Sequence, residues 1–207
     1  MPLLAEDHTY FRELQTRTGW GRTLARFLAW CLPPTPTRML DVGTGPALAP
    51  ALAATQGHWA LGVDNDAQML AQRLHPLAVL ADARHLPFPA RQFGVTTASN
   101  LLFLLADPLP ALREMARVTA RHGRVAVLNP SEHMTVAAAQ ALADARGLEG
   151  LARASLLNLA ARAEAHHRWN ASALAALFAR AGLKLIATRT AMGQGLLRWG
   201  WGIPHTV

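Results

Sequence analysis

Asp41, Gly43, Gly45 and Asp64 are the residues whose types and spacing could do chemistry. In residues 38–51, R-M-L-D-V-G-T-G-P-A-L-A-P-A, the side chains of Met39, Leu40 and Val42 make a short apolar run suited to a buried parallel strand. The run breaks at Gly43-Thr44-Gly45 and passes into an alanine-rich segment that reads as a helix from Pro46 onward, proline being tolerated in a first helical turn. A strand, a glycine turn and a helix N-terminus let backbone approach a ligand closely, with free N–H groups aimed at it. Asp64 closes an apolar stretch, residues 58–63, about 20 residues beyond the turn, where a carboxylate can accept hydrogen bonds from both hydroxyls of a ribose. Capping the next helix is the simpler use of Asp64 or Asp66. The two uses are compatible, with Asp64 on the ribose and Asp66 as the cap. A nicotinamide fingerprint would need a third glycine where this chain has Leu48.

The acidic residue two places before the first glycine makes the pattern D-x-G-x-G. It resembles motif I of the class I S-adenosylmethionine-dependent methyltransferases, many of which carry another glycine where this chain has Ala47. N-D-A-Q-M-L after Asp64 is similar to the end of that family's second strand. D-A-x-x-L-P-F, carried by Asp82, Ala83, Leu86, Pro87 and Phe88, resembles the small-molecule methyltransferases of ubiquinone and menaquinone biosynthesis. The resemblance implies that Asp82 meets the adenine amino group, that the backbone of Ala83 meets the ring, and that Asp41 acts indirectly through the loop or on the ligand's amino group. Thr44, Asn65, Met69 and Asn100 complete the implied cofactor set with Gly43, Gly45 and Asp64. Gly94 stands where the family usually has aspartate, and no histidine lies near Phe103 and Leu104. The loop after the fourth strand lacks the N-P-P-Y or D-P-P-Y element of enzymes that methylate a base's exocyclic amine.

Positioning these residues requires an alternation of strands and helices, hence an α/β fold. The expected architecture is a doubly wound, mostly parallel seven-stranded sheet, Rossmann-like, closed by an antiparallel hairpin. Further strands are expected at residues 77–81 and 93–98, and the resemblance of residues 111–130 to the family implies a glycine turn at His122-Gly123 leading to a strand at 124–128. Leu24, Phe27, Leu28, Cys31 and Leu32 give residues 10–32 one apolar helical face. Residues 132–167 are helical by composition, broken at Gly147 and Gly150. A helix at 172–181 then leads to a hairpin of 183–190 and 196–201. The similarity to the family is strong over residues 38–130 and weak over 170–202. One domain is expected, with 1–37 a helical cover, 38–130 the cofactor-binding core, 131–168 an acceptor-covering insertion and 169–207 the closing helix and hairpin. Asn129, Ser131 and His133 follow a strand end and are candidates for substrate contact; loop capping accounts for Asn129 and Ser131 equally well.

The 207 residues are about half apolar and carry a formal charge of +7, with a pI of about 11.3. A nucleic-acid partner is not inferred from this, because Lys184 is the only lysine and the arginines are scattered singly. The series Arg113, Arg117, Arg121 and Arg124 reads as one solvated helix face. Cys31 is alone, which excludes disulfides and cysteine-based metal sites. The first residues, M-P-L-L-A-E-D-H, lack the pattern of a signal peptide, and no run reaches the roughly 18 apolar residues of a membrane span. The expectation is a cytoplasmic enzyme acting on a small-molecule acceptor, with a homodimer left open. Methyl transfer by in-line displacement needs orientation and exclusion of water above all, so no catalytic residue and no metal is assigned. His8, Tyr10 and His133 are the candidate bases. A nicotinamide-dependent oxidoreductase, a non-catalytic adenosylmethionine-binding protein and an RNA methyltransferase are the alternatives.

Overall fold

The computed structural model describes residues 8–205. In chain order its elements are α1 (His8–Arg17), α2 (Trp20–Cys31), β1 (Arg38–Val42), α3 (Leu48–Thr55), β2 (Trp59–Asp64), α4 (Ala67–Ala71), β3 (Ala78–Leu80), β4 (Phe93–Ser99), a 3-10 turn (Leu102–Leu104), α5 (Leu109–Val118), β5 (Thr119–Pro130), α6 (Val136–Ala145), α7 (Gly150–Ala165), α8 (Ala171–Arg180), β6 (Leu183–Ala191) and β7 (Leu197–Pro204). The strands form one sheet in the order β3-β2-β1-β4-β5-β7-β6. The first five are parallel to their neighbours, and β7 runs antiparallel between β5 and β6. This is the doubly wound sheet with a closing hairpin that the alternation of elements predicts. Its central strands are buried on both faces, as continuous apolar runs require: Met39, Leu40, Val42, Val63, Val95, Val125 and Val127 are almost wholly shielded. Helix α2 packs on α3 and α5 packs on α8, so both faces are covered.

Four local expectations are corrected. The helix after the glycine turn begins at Leu48, not Pro46, because Ala47 holds a left-handed backbone (φ +61°) that no helix interior accommodates. Pro50 takes the first-turn position instead, where its missing N–H leaves no bond unmade. Residues 10–32 form two helices rather than one, and the expected apolar face, with Leu24, Phe27, Leu28 and Cys31, lies whole on α2. The Thr18 hydroxyl donates back to the Leu14 carbonyl and accepts the Trp20 N–H at 3.1 Å, which ends one helix and starts the next. No glycine turn precedes the fifth strand: β5 already starts at Thr119, and Ala120 to Gly123 bulge opposite the single residue Gly94. Hence the four arginines do not share a helix. Arg113 and Arg117 lie on α5, whereas Arg124 lies on β5, stacked on Trp201 and donating to the Cys31 carbonyl at 2.9 Å.

The packing of β4 against the residues before β1 explains the departure at Gly94. A Cβ there would collide with the Thr37 hydroxyl, so an aspartate would not fit without displacing the residues before β1. Trp199 is a core residue, edge-on to Phe27 at 5.7 Å, rather than part of a ligand pocket.

Candidate active site

The turn between β1 and α3 is built from three alternating left-handed positions, Gly43 (φ +68°), Gly45 (φ +55°) and Ala47 (φ +61°). A Cβ on Gly43 would come within 2.8 Å of Leu101, so glycine is required there both by conformation and by the close approach of the loop after β4. Ala47 adopts the backbone that a glycine would adopt without cost. We expect Ala47→Gly to stabilise the protein by about 0.5–1 kcal/mol, the relief of the left-handed strain outweighing the greater entropy of the unfolded chain. Urea denaturation checks this; a loss of stability would mean that packing of the buried methyl dominates.

Asp64, at the carboxyl end of β2, ties this turn to the next one. Its Oδ2 accepts the Gly45 N–H at 2.7 Å and its Oδ1 accepts the Asp66 N–H at 3.0 Å. Burial raises its carboxyl above the usual range, and the two N–H groups oppose that shift. Asp66 is the helix cap the sequence suggests, accepting from the N–H groups of Gln68 and Met69. Asp82, after β3, is at the surface. Arg84 grips it through Nε and Nη2, the latter at 2.6 Å, and holds its carboxyl down at about 2. Arg84 therefore occupies most of the lone pairs that Asp82 could offer a ligand, and must swing aside for the carboxylate to serve one.

Gly43, Gly45, Asp64, Asn65, Met69, Asp82, Ala83 and Asn100 all line one cavity of about 950 Å³ at the carboxyl ends of the strands. This is where open α/β sheets bind ligands, and the volume is at the upper end of the usual range for such pockets. Asp41 and Thr44 do not line it. Asp41 is buried behind the turn and accepts the Thr97 hydroxyl of its neighbour strand at 2.6 Å. Burial pushes its carboxyl up to about 6, against the pull of Thr97. The Thr44 hydroxyl favours the charge further but makes no well-formed hydrogen bond, its side chain being packed against Gly62.

The candidates Asn129, Ser131 and His133 are not in the cavity. Asn129 Oδ1 accepts the Phe103 N–H, and Ser131 Oγ donates to the Gly195 carbonyl while accepting the His133 N–H, so they cap loops. His133 is exposed beside Glu132. Tyr10 does line the cavity; the side chain of His8, and the residues before it read against a signal peptide, lie outside the described residues. The remaining wall comes from the two segments expected as covers, through α1 and α2 (Gln15, Trp20) and α7 (Asn158, Leu159), and from Leu104 and Leu105 at the end of the 3-10 turn.

Two amide oxygens in this wall, Gln15 Oε1 and Asn100 Oδ1, are buried without a hydrogen-bond partner. A ligand carrying N–H or O–H donors would satisfy them. The Gln15 amide also reaches the glycine turn, its Nε2 lying 3.8 Å from the position of a Cβ on Gly45. Among the described residues no group of histidine, cysteine and carboxylate side chains could hold a metal ion, and no helix is long and apolar enough to cross a membrane.

A crevice over a glycine turn, an acidic residue ending β2, and orphaned acceptors define a nucleoside-type cofactor site on a Rossmann-like sheet. Residues 40–127 match the family described as Methyltransferase domain. The demethylmenaquinone methyltransferase of Mycobacterium marinum is 33% identical over 164 residues, 75% of this chain and 71% of that protein. The corresponding enzyme of Corynebacterium efficiens is 37% identical over 93 residues, only 44% of this chain and 40% of that protein. Among solved structures, the magnesium protoporphyrin IX methyltransferase of Synechocystis, determined with bound S-adenosylhomocysteine, superposes with a TM-score of 0.69 at 12% identity, covering 95% of this chain and 94% of that one. An S-adenosylmethionine-dependent methyltransferase of Thermotoga maritima gives the same TM-score at 14% identity, covering 95% of each chain. The chain belongs to the class I S-adenosylmethionine-dependent methyltransferases and is similar to those that act in menaquinone formation. It is a methyltransferase enzyme whose cofactor is S-adenosylmethionine, and the oxidoreductase alternative falls away.

Proposed function

We propose that the enzyme methylates a small organic acceptor in the cytoplasm, with Asp64 holding the cofactor's ribose and the backbone of Gly43 and Gly45 lying beneath its amino-acid portion. The observation that carries this is that a single cavity is lined both by the glycine turn and Asp64 and by the apolar side chains of Leu104, Leu105, Leu148 and Leu159. Asp82 and Ala83 are assigned to the adenine by the family resemblance, and both line the cavity together with Asn65 and Met69. Gln15 and Asn100 offer their unpaired oxygens to the donors of the bound cofactor. Asp41 acts indirectly, by holding β1 to β4 behind the turn. The cofactor supplies an activated methyl group bound for an in-line displacement. The chain's own residues supply alignment and exclude water, which alone can account for much of the rate.

Demethylmenaquinone, which the names of the relatives carry, is the neutral reference acceptor for the assay. Exposed Leu77 and Leu80 at the β3 edge are the apolar surface a homodimer would use. Calorimetric titration is expected to show micromolar binding of S-adenosylmethionine and S-adenosylhomocysteine and none of NAD. Failure of a folded protein to bind either adenosyl ligand overturns the proposed site.

A further inference from the structure

We propose that the acceptor is an oxyanion-bearing amphiphile, a compact apolar body carrying a carboxylate or a comparable anionic group; this rests on the cavity being the methyl-transfer site. The charged residues lining the cavity are unevenly distributed. Its acidic residues, Asp64, Asp66 and Asp82, all stand at the ends of β2 and β3, in the part assigned to the cofactor. The rest contains no carboxylate but receives Arg22 from α2, Arg146 from the end of α6 and Arg162 from α7.

These three arginines differ from most others in the protein that stand near acidic groups. Arg84 is committed to Asp82, Arg117 to Glu114, Arg153 to Asp144 and Arg198 to Glu132. The side chains of Arg22, Arg146 and Arg162 make no hydrogen bond or ion pair with any described residue. They come from three separate helical segments and share one cavity, so their placement is not the periodicity of a single solvated face. Guanidinium groups pair with planar oxyanions through two parallel N–H bonds, and such charge-assisted bonds are about twice as strong as neutral ones. The same cavity is lined by the apolar side chains of Phe11, Leu142 and Met192. A cavity lined by both apolar side chains and cations selects a molecule that is apolar with an anionic end. A neutral quinone would leave the three guanidinium groups unused.

The test uses full-length protein saturated with S-adenosylhomocysteine, titrated with two matched pairs: 3-phenylpropionate against 3-phenylpropanol, and octanoate against octanol. Binding of S-adenosylhomocysteine is measured first and reports separately on the methyl-transfer site; if it fails, the reading beneath the inference fails. With the cofactor product bound, each acid is expected to bind at least about fivefold more tightly than its alcohol. That preference should fall to within about twofold in the triple variant Arg22→Gln, Arg146→Gln, Arg162→Gln. All three side chains are exposed, so the variant should keep both its fold and its affinity for S-adenosylhomocysteine. Equal binding of acid and alcohol, no binding of either acid, or a preference that survives the triple substitution overturns the inference.

Discussion

Asp64→Ala is expected to weaken S-adenosylhomocysteine binding by at least about 100-fold, roughly 2.7 kcal/mol. The size follows from two losses that occur together. A carboxylate placed to accept from a ribose disappears, and charge-assisted hydrogen bonds of this kind contribute about 1.5–3 kcal/mol. The Gly45 N–H, held at 2.7 Å, and the Asp66 N–H, held at 3.0 Å, also lose their acceptor, so the turn is no longer fastened to β2. Stability should fall by about 2 kcal/mol for the same reason. Asp64→Asn separates the effects, because it keeps an acceptor for one N–H: most of the stability should return and most of the affinity should not. Calorimetry and urea denaturation on the three proteins read both quantities. A folded Asp64→Ala protein with affinity within about threefold of the parent would remove Asp64 from the cofactor site.

The second large effect concerns Asp41 and pH. Its carboxyl is pushed up to about 6 in the folded protein from an ordinary value of 3.8. The folded state therefore holds this proton more tightly than the unfolded state does, and stability falls as pH rises through the window between about 4 and 6. The shift corresponds to about 2.4 kcal/mol lost by pH 8 relative to pH 4. Asp41→Asn removes the titration and keeps an acceptor for Thr97, while the otherwise unpartnered Thr44 hydroxyl can accept one of the new amide N–H bonds. At pH 8 the variant should be more stable than the parent by about 1–2 kcal/mol, allowing for the second amide N–H left unsatisfied. At pH 4 the advantage should vanish or reverse. Denaturation curves for both proteins at the two pH values test it, since other titrating groups cancel in the difference. A variant equally destabilised at both would show that the buried carboxylate is not the source of the dependence.

The glycine turn, Asp64 and the Asp66 cap were legible in the sequence because each is local: a strand end, a turn residue and a helix start lie within a few positions of one another. The same locality limited the reading elsewhere. Arg113 to Arg124 keeps a helical spacing beyond Val118, but the chain leaves the helix there because Thr119 enters the sheet opposite Phe93 and its hydroxyl bonds to Thr96 and to the Met115 carbonyl. Periodicity carries no information about that contact. Pro46 misplaced a helix start because Ala47's left-handed backbone is set by the turn around it rather than by alanine's own preference. Gln15 and Asn158 could not be found at all. Their helices bear no motif, and the faces they present are fixed only when α1, α2 and α7 pack over the strand ends.

The position of β7 between β5 and β6 has a consequence for how the protein is made. A ribosome delivers β5 long before β7, and until Leu197 emerges the inner edge of β5, with Val125 and Val127, has no strand beside it. At about 5–20 residues per second the interval lasts several seconds, during which an apolar edge stands ready to pair with whatever strand arrives first. The sheet is thus sealed from the inside by its latest strand, and a nascent chain halted before Leu197 would hold two unfinished sheet edges instead of a smaller enzyme.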